Sequence, residues 1–306
     1  MGYAQRLCLN TRGRCGKLAV TCICLLLVSG CIHIPEREQL IAPAGTGIGR
    51  TYGAGCTQLG LMVPTGAHQA DAIDPAGFRF MTWNLHKAKD RGWRDDLDRL
   101  GAGQDLLLLQ EAHLTPTFRD YLEQSRYHWS MARAFDLGGA ETGVLTAAEV
   151  PASSACLSRT PEPLIRLPKS VLLTRYPLDG ESDDLWVANF HGVNFTLGTT
   201  HFKAQIESLA ATVESHRGPL ILAGDFNNWS PRRSDILFVV TRRLGLLPLT
   251  LAEDARSRHW GSPVDFVFYR GVEVVGARSL EVSSSDHNPI LVTFRMPGYS
   301  REGRQR

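Results

Sequence analysis

The sequence predicts an α/β fold, and three observations support that prediction. Between Phe78 and Phe294, short apolar runs alternate with amphipathic stretches, as expected where strands and helices share one core. The hydrophobic content of 43% in 306 residues is enough to bury the core of one large domain or two small ones. The 21% of charged residues, the 29 glycines and the 16 prolines do not indicate a disordered, collagen-like or coiled-coil chain.

The individual elements follow from this pattern in chain order. A short apolar run bounded by polar residues indicates a strand, and apolar residues three to four positions apart indicate a helix. Phe202, Ile206, Leu209 and Val213 have the helical spacing. We predict strands at residues 78–83, 106–110, 171–174, 185–190, 220–223, 265–269 and 290–294, and helices at residues 93–100, 118–124, 202–216 and 234–243.

The N-terminal 30 residues have the pattern of a secretory signal peptide. A basic region without acidic residues precedes an apolar run at residues 18–28, and small residues follow that run. The sequence Val28-Ser29-Gly30-Cys31 resembles a bacterial lipobox, in which Cys31 is lipidated and becomes the new N-terminus. An uncleaved membrane anchor is the alternative, because residues 18–34 are only slightly short for a span. Either way, the body is expected to be exported and held at a membrane.

Charge and cysteine usage describe the exported body. The net charge of +2 includes Arg6, Arg12, Arg14 and Lys17, so residues 31–306 hold 29 basic against 31 acidic residues, a net charge of −2. Charge alone therefore does not predict a polyanion binder. Two body cysteines, Cys56 and Cys156, could form a disulfide in an exported protein, but the sequence does not show that they meet. The cysteine and histidine spacings are not those of a zinc site.

We divide the chain into four segments. They are a signal peptide at residues 1–30, a tether and lead-in at residues 31–75 with a short strand near residues 59–63, a folded domain at residues 76–296, and a solvated basic tail at residues 297–306. Within the domain, residues 131–168 contain Gly, Pro, Ser and Ala without a clear period. This segment is predicted to form loops that shape a cleft.

Polar clusters adjoin the predicted strands. They are Trp83-Asn84, Gln110-Glu111, Asn189-Phe190-His191, Gly224-Asp225-Phe226-Asn227 and Asp286-His287-Asn288-Pro289, and Asp265 opens a further strand. Polar groups at the ends of packed strands are held rigidly and can converge on one rim. Carboxylates and carboxamides without thiolates suit a hard cation, Mg²⁺ or Mn²⁺. Such a cation beside a histidine–carboxylate pair is suited to phosphoryl chemistry.

The order of these motifs resembles that of the endonuclease/exonuclease/phosphatase superfamily. That group contains DNase I-like nucleases, exonuclease III-like repair enzymes, sphingomyelinases and inositol polyphosphate 5-phosphatases. The resemblance covers residues 76–296 and is strongest at Gly224-Asp225-Phe226-Asn227 and Ser285-Asp286-His287-Asn288-Pro289-Ile290. It implies a four-layer α/β/β/α sandwich of two packed mixed β-sheets, whereas periodicity alone predicts only α/β.

The resemblance also implies roles for particular residues. Glu111 is expected to be the main metal ligand, with Asn84 and Asp286 completing or supporting that site. Asp225 and Asn227 are expected to orient the nucleophilic water and the scissile phosphate. His287 is expected to be the general base, and Asp265 to hold its imidazole in the useful tautomer.

A second histidine is expected to donate a hydrogen bond to phosphate. His191 directly ends a predicted strand, while His201 also resembles a Thr-His form seen in relatives. We favour His191, because Thr199 or Thr200 is suited to cap the helix that begins beside His201.

Several neighbouring residues are ambiguous. His86, His113 and Lys87 stand close to the metal-site motifs and could line the cleft, although a surface position is the alternative for each. Arg232 and Arg233 are expected to be solvated loop charges. Trp229 is expected to pack on its own loop.

The predicted function is Mg²⁺-dependent hydrolysis of a phosphodiester or phosphomonoester, with a nuclease favoured. A phospholipid, sphingomyelin or inositol phosphate hydrolase is the alternative, motivated by the membrane tether and the slightly acidic body. A non-catalytic envelope binding module is a third possibility from another class. Ile32 after the lipidated cysteine, in place of a retention aspartate, favours the bacterial outer membrane. The sequence has no phosphate-binding loop or dinucleotide fingerprint, so a nucleotide cofactor is not expected.

Overall fold

A computed structural model describes residues 32–43, 50–52, 56 and 72–300. The predicted signal peptide, the lipidation site Cys31, the strand near residues 59–63 and residues 301–306 of the tail lie outside the described residues. Within the described part, the helices are too short or too polar to cross a membrane.

The described residues form 17 strands and four α-helices. The strands are β1 (Ile32–His33), β2 (Gln39–Ile41), β3 (Arg50–Tyr52), β4 (Phe78–Asn84), β5 (Leu106–His113), β6 (His128–Leu137), β7 (Ala140–Ala148), β8 (Ser154–Pro161), β9 (Pro168–Tyr176), β10 (Leu185–His191), β11 (Leu220–Asp225), β12 (Leu247–Pro248), β13 (Arg258–His259), β14 (Ser262–Pro263), β15 (Asp265–Arg270), β16 (Glu273–Ser279) and β17 (Ile290–Arg295). The helices are α1 (Trp93–Gly101), α2 (Pro116–Gln124), α3 (Thr200–Val213) and α4 (Pro231–Arg243), and a 3₁₀ turn spans His86–Ala88. The seven strands and four helices predicted between residues 78 and 294 are all confirmed, with boundaries shifted by a few residues.

Two mixed sheets form the centre of the molecule. In the described residues, the larger sheet has the order β16-β17-β4-β5-β7-β6-β2-β3 with β1 added beside β6, and the smaller has the order β12-β15-β11-β10-β9-β8. The pairs β4–β5 and β10–β11 are parallel, whereas the neighbouring pairs are antiparallel.

The two-residue period of each strand divides its side chains between two cores. On β4 and β5, Phe80 and Leu108 point into the space between the sheets, where they meet Val187 and Ile221 of the smaller sheet. The alternate residues pack outward, against α1 and α2 on the larger sheet and against α3 and α4 on the smaller. Because both faces of the central strands are covered, these strands are continuous apolar runs. The predicted four-layer sandwich is therefore confirmed.

The N-terminal segment needs a correction. Leu40 and Ile41 of β2 are buried, and β2 pairs with β6 in the larger sheet. Leu40 packs among Ala132, Val144 and Leu157. Residues 32–43 therefore belong to the folded domain, and the tether predicted over residues 31–75 is wrong for that part.

The loops predicted over residues 131–168 are also wrong in large part. This region contains most of β6, all of β7 and β8 and the start of β9. Strand β7 is buried along nearly its whole length, but most of its residues are small or polar, such as Thr142, Gly143 and Thr146. When the strand's own side chains are small on both faces, its sequence has no hydrophobic period. The sequence pattern therefore did not reveal β7. Strand β16, at the edge of the larger sheet, was not predicted either.

A disulfide joins Cys56 to Cys156, with their Cα atoms 5.1 Å apart. Cys156 lies in β8, so the bond ties the N-terminal region to the smaller sheet. The pairing that the sequence left open is thus present in the structure.

Candidate active site

The polar clusters meet at one edge of the sandwich. The parallel pair β4–β5 places Asn84 beside Gln110, and the parallel pair β10–β11 places His191 beside Asp225. Strand β15 adds Asp265 opposite Asp225. Because parallel strands end at a common edge, residues far apart in sequence come together there.

The His287 loop is fixed to this edge by a buried side chain. The indole Nε1 of Trp83 donates a hydrogen bond of 2.8 Å to the carbonyl oxygen of His287. The Ser285 hydroxyl donates to the carbonyl oxygen of Asn84, at 2.6 Å. These two bonds hold the loop before β17 against the end of β4.

Backbone irregularities aim two of the site residues. The pairing of β5 with β7 shifts register between Leu109 and Ala112, and Glu111 within that bulge has a φ of 50°. A bulge re-aims a side chain out of the regular alternation. Gly224 has a φ of 139°, and a Cβ there would lie 2.0 Å from the carbonyl oxygen of Phe190. Only glycine allows this close approach of β11 to β10, which sets the position of Asp225.

His287 and Asp265 form a buried pair. The Nδ1 atom of His287 is 2.8 Å from Oδ2 of Asp265, and its Nε2 atom is 3.9 Å from Oδ2 of Asp225. Burial acts to lower the pKa of His287, but the carboxylates of Asp265 and Asp225 outweigh burial and raise the pKa to about 10. The pair has the geometry of a base and its orienting carboxylate.

Asp225 accepts hydrogen bonds on both carboxylate oxygens. The Asn84 side-chain amide donates to Oδ2 at 3.1 Å, and the backbone N–H of Asn227 donates to Oδ1 at 2.9 Å. The Asn227 amide also donates to Oδ2 of Asp225 at 3.2 Å and to the Gly192 carbonyl oxygen at 3.0 Å. Such a network holds the carboxylate in one orientation.

His191 lies in this cluster and His201 does not. The Nε2 atom of His191 is 3.5 Å from Oδ2 of Asp225 and 3.8 Å from Oε1 of Glu111. Burial lowers the pKa of His191 to about 3, with a further contribution from the Lys169 ammonium, so its imidazole is neutral at physiological pH. His201 is exposed in the first turn of α3, and neighbouring Thr199 makes no side-chain capping bond there.

Glu111 is flanked by two lysines. Lys87 forms an ion pair with its Oε2, and the Nζ of Lys169 is 3.5 Å from its Oε1 and 2.9 Å from Nε2 of His191. Burial alone would raise the pKa of Glu111, but the ammonium charges of Lys169 and Lys87 hold it well below its usual range. Lys87 is therefore a cleft residue. Lys169 was not predicted as a site residue, because β9 was expected to begin two residues after it.

The carboxylate of Glu111 offers oxygen atoms that suit a hard cation. The Glu111 carboxylate is partly buried and pairs with two ammonium groups, and Asn84 lies beside its neighbour Gln110 at the end of β4. Asp286 lies at the outer edge, with its side chain 53% exposed and Oδ1 3.5 Å from Nδ1 of His86. All-oxygen donors of this kind suit Mg²⁺ or Mn²⁺.

A second group could also hold an ion. Ligand atoms of Asp225, Asp265 and His287 lie within 4.8 Å of one another. In this group His287 is already bonded to Asp265 and contributes nitrogen, which a hard cation does not prefer.

The other residues that the sequence left ambiguous take different positions in the structure. His86 faces the site and bonds Asp90, with 2.6 Å between Nδ1 and Oδ2, whereas Nε2 of His113 is 3.0 Å from the Leu137 carbonyl oxygen. Trp229 was expected to pack on its own loop, but it contacts two other loops: its Nε1 donates to Oδ1 of Asn194 at 2.8 Å, and its ring packs edge-on against Trp260. Arg232 is exposed, as predicted.

Arg233 corrects the prediction of a solvated charge. Its side chain is buried and donates to the carbonyl oxygens of Val193, Asn194 and Asn227 at 2.7–3.0 Å. A buried guanidinium that satisfies backbone carbonyls fixes the loops that carry them. Arg233 thus joins the loop after Asp225 to the loop after His191. No local pattern marks this role, since two of the three carbonyl partners, Val193 and Asn194, lie 40 and 39 residues earlier in the chain.

Comparisons with known proteins agree with this fold. A model of the endonuclease/exonuclease/phosphatase family matches residues 81–287. The chain is 34% identical over 265 residues to a UPF0294 protein of Vibrio campbellii, covering 86% of this chain and 90% of that protein. An endonuclease/exonuclease/phosphatase crystal structure from Beutenbergia cavernae aligns with a TM-score of 0.56 and 19% identity, covering 73% of this chain and 72% of that one. The human Nocturnin catalytic domain with bound sulfate aligns with a TM-score of 0.57 and 17% identity, covering 74% of this chain and 95% of that one.

The layered sandwich with polar strand ends defines a DNase I-like α/β fold. The chain belongs to the endonuclease/exonuclease/phosphatase family, and this membership supports phosphoester hydrolysis as its general activity.

Proposed function

We propose that the protein hydrolyses a phosphodiester or phosphomonoester bond with the help of Mg²⁺ or Mn²⁺. The observation that supports this most strongly is the buried His287–Asp265 pair, which shares one cluster with Asp225, His191 and Glu111. A base, its orienting carboxylate and an acidic cation site are what phosphoester hydrolysis by water requires.

In this proposal the chain's residues position water and move its proton. Asp225 and Asn227 orient the water, and Nε2 of His287 accepts its proton. The water oxygen bonds to phosphorus, the ester P–O bond breaks, and the proton passes from His287 to the leaving alkoxide. His191 and the Lys169 ammonium face the same space and bind phosphate oxygens. A cation held by Glu111, with Asn84 and Asp286, would neutralise charge on the phosphate.

The substrate class divides into two candidates. Resemblance to DNase I-like enzymes favours a nuclease. Solved neighbours below 20% identity show the fold alone, so they do not decide between nucleic acid and lipid. Apolar side chains around the cleft favour the second candidate, a phospholipid hydrolase.

We also propose that the protein is exported and lipid-anchored at Cys31 in a bacterial envelope. The residue after Cys31 is Ile32 and not a retention aspartate, which favours the outer membrane. The Cys56–Cys156 disulfide supports export, because such bonds persist in oxidising compartments and are rare in the cytosol.

Metal removal tests the proposed activity. Full-length protein in detergent should hydrolyse bis(p-nitrophenyl) phosphate or nick plasmid DNA in Mg²⁺, and EDTA should abolish the reaction until Mg²⁺ is restored. His191→Ala should lose about 10²-fold or more in turnover, whereas the matched variant His201→Ala should keep wild-type turnover. Hydrolysis that persists in EDTA, or equal losses in the two variants, would contradict the proposal.

The pH profile tests the His287–Asp265 pair separately. Only the neutral imidazole accepts a proton, and the neighbouring carboxylates raise the pKa of His287 to about 10, so kcat/KM of the free enzyme should rise with pH across the neutral range. Asp265→Asn removes a negative charge that stabilises the imidazolium. The rising limb should therefore move to lower pH while the maximal rate falls. A limb that stays in place in Asp265→Asn would show that another group controls it.

A further inference from the structure

Exposed apolar side chains concentrate around the cleft. Among the described residues, nine large hydrophobic side chains are exposed, and five of them lie on three loops at the strand-end edge. We call these five residues the apolar rim: Leu164 and Ile165 between β8 and β9, Phe195 and Leu197 after β10, and Trp260 between β13 and β14. Leu197 and Trp260 are each 82% exposed. Clustered exposed apolar residues mark an interaction surface rather than ordinary surface scatter.

One side of the rim adjoins the candidate metal site. Ile165 and Phe195 line a cavity of about 160 Å³ whose wall also contains Glu111, Lys169 and His191. The two loops are joined, since the backbone N–H of Asn194 donates to Oε1 of buried Glu162 at 2.6 Å. An apolar wall thus stands directly beside the groups proposed to bind phosphate.

The other side of the rim adjoins the proposed base. Trp260 packs edge-on against Trp229, with ring centroids 4.6 Å apart. The neighbouring ring of His259 lies 5.8 Å from that of His287. The rim therefore borders both the Glu111 side and the His287 side of the cleft.

Hydrogen bonds from Arg233 fix one loop of the rim in place. Arg233, buried beneath it, donates to the carbonyl oxygens of Val193 and Asn194 and to the Thr196 hydroxyl. These bonds hold the Phe195–Leu197 loop while its apolar side chains face solvent. Apolar side chains held outward in this way gain free energy when a partner removes them from water.

The chain enters the domain at the same end. Ile32 pairs with Leu137 at the end of β6, and the adjoining turn into β7 places Thr142 beside His113 at the Glu111 end of β5. Three strand spacings, about 14 Å, separate β1 from β5. Cys31 directly precedes Ile32, so a lipid on Cys31 would hold the cleft end of the domain towards the membrane.

The composition of the rim favours lipid over nucleic acid. Leu164, Ile165 and Leu197 provide neither positive charge for phosphates nor an aromatic face for bases. Leucine, isoleucine and tryptophan are suited to the boundary between headgroups and acyl chains. Exposed Arg166, at the same hairpin tip as Leu164, complements anionic lipid headgroups.

From these observations we propose that the cleft end is a membrane-docking face and that the substrate is a phospholipid of the bilayer on which the rim rests. The phosphate reaches the Glu111–His191–Lys169 side of the cleft, and the apolar part of the lipid stays against Ile165 and Phe195. This inference rests on the proposed phosphoester hydrolysis and adds the substrate class and the docking surface to it.

Tryptophan quenching tests the orientation. All six tryptophans of the chain lie within the described residues, and Trp260 is the most exposed of them. Full-length protein in phosphatidylglycerol-containing vesicles with brominated acyl chains should show quenched fluorescence, and Trp260→Phe should remove most of the quenched component. Trp93→Phe, which changes a tryptophan of α1 that packs against Phe118 of α2, should leave the quenching in place. An unquenched wild type, or equal quenching after Trp260→Phe, would overturn the docking face.

Paired substrates separate docking from chemistry. The double variant Leu164→Ser/Leu197→Ser should lose about tenfold or more in phospholipid hydrolysis from vesicles but keep its activity on soluble bis(p-nitrophenyl) phosphate. Val239→Ser, which changes an exposed apolar residue on α4, should lose neither.

The remaining outcomes distinguish a failure of the lipid proposal from a failure of the proposed phosphoester hydrolysis. Mg²⁺-dependent hydrolysis of the soluble ester without release of any phospholipid headgroup would overturn the lipid proposal and leave phosphoester hydrolysis standing. Loss of plasmid nicking in the double variant would make the rim a nucleic-acid surface instead. An enzyme inactive on every ester would overturn both proposals.

Discussion

His287→Ala should lower kcat by about 10²- to 10⁴-fold while the protein keeps its fold. The substitution removes the atom that accepts the proton from water, and no other imidazole in the cluster has the same carboxylate partner. The measurement is Mg²⁺-dependent turnover of bis(p-nitrophenyl) phosphate by purified full-length protein, with circular dichroism to confirm folding.

Loss of the His287 side chain also leaves buried Asp265 without its partner, which costs stability. The double variant His287→Ala/Asp265→Asn removes that unpaired charge and keeps the catalytic effect measurable. Because the two residues act as a unit, the double variant should be no slower than His287→Ala alone. Near-wild-type turnover in a folded His287→Ala protein would remove His287 from the mechanism.

Removing the disulfide should lower the free energy of unfolding by about 2–5 kcal/mol. The bond joins cysteines 100 residues apart, so it closes a long loop and restricts the unfolded chain strongly. Urea unfolding of oxidised wild type, reduced wild type and Cys56→Ser/Cys156→Ser should give a higher midpoint for the oxidised protein alone. The reduced and double-variant proteins serve as controls for one another. Equal midpoints in all three would show that the crosslink does not contribute.

The predictable part of the fold is the part with strong local patterns. Strands such as β5 and β11 are apolar runs because helices cover one face and the other sheet covers the second. Strands β7 and β8 could not be found in this way, because small and polar side chains fill their positions. The burial of β2 was hidden for another reason, since its partner β6 lies about 90 residues later in the chain.

The candidate site shows the same division. Glu111, Asp225 and His287 could be assigned from the sequence, because each lies in a short motif beside a predicted strand. Lys169 and Arg233 could not, because their meaning depends on partners 58 and 40 residues away, at Glu111 and Val193. A lysine or arginine near a strand end has no local signal that separates a cleft cation from a solvated one.

The position of a bound metal tests the central claim most directly. Crystals of the full-length protein soaked in Mn²⁺ would locate the ion by its anomalous scattering. The account predicts the strongest peak at coordination distance from the Glu111 carboxylate, with the Lys87 and Lys169 ammonium groups displaced from it. A strongest peak among Asp225, Asp265 and His287, or no peak in the cleft, would contradict it.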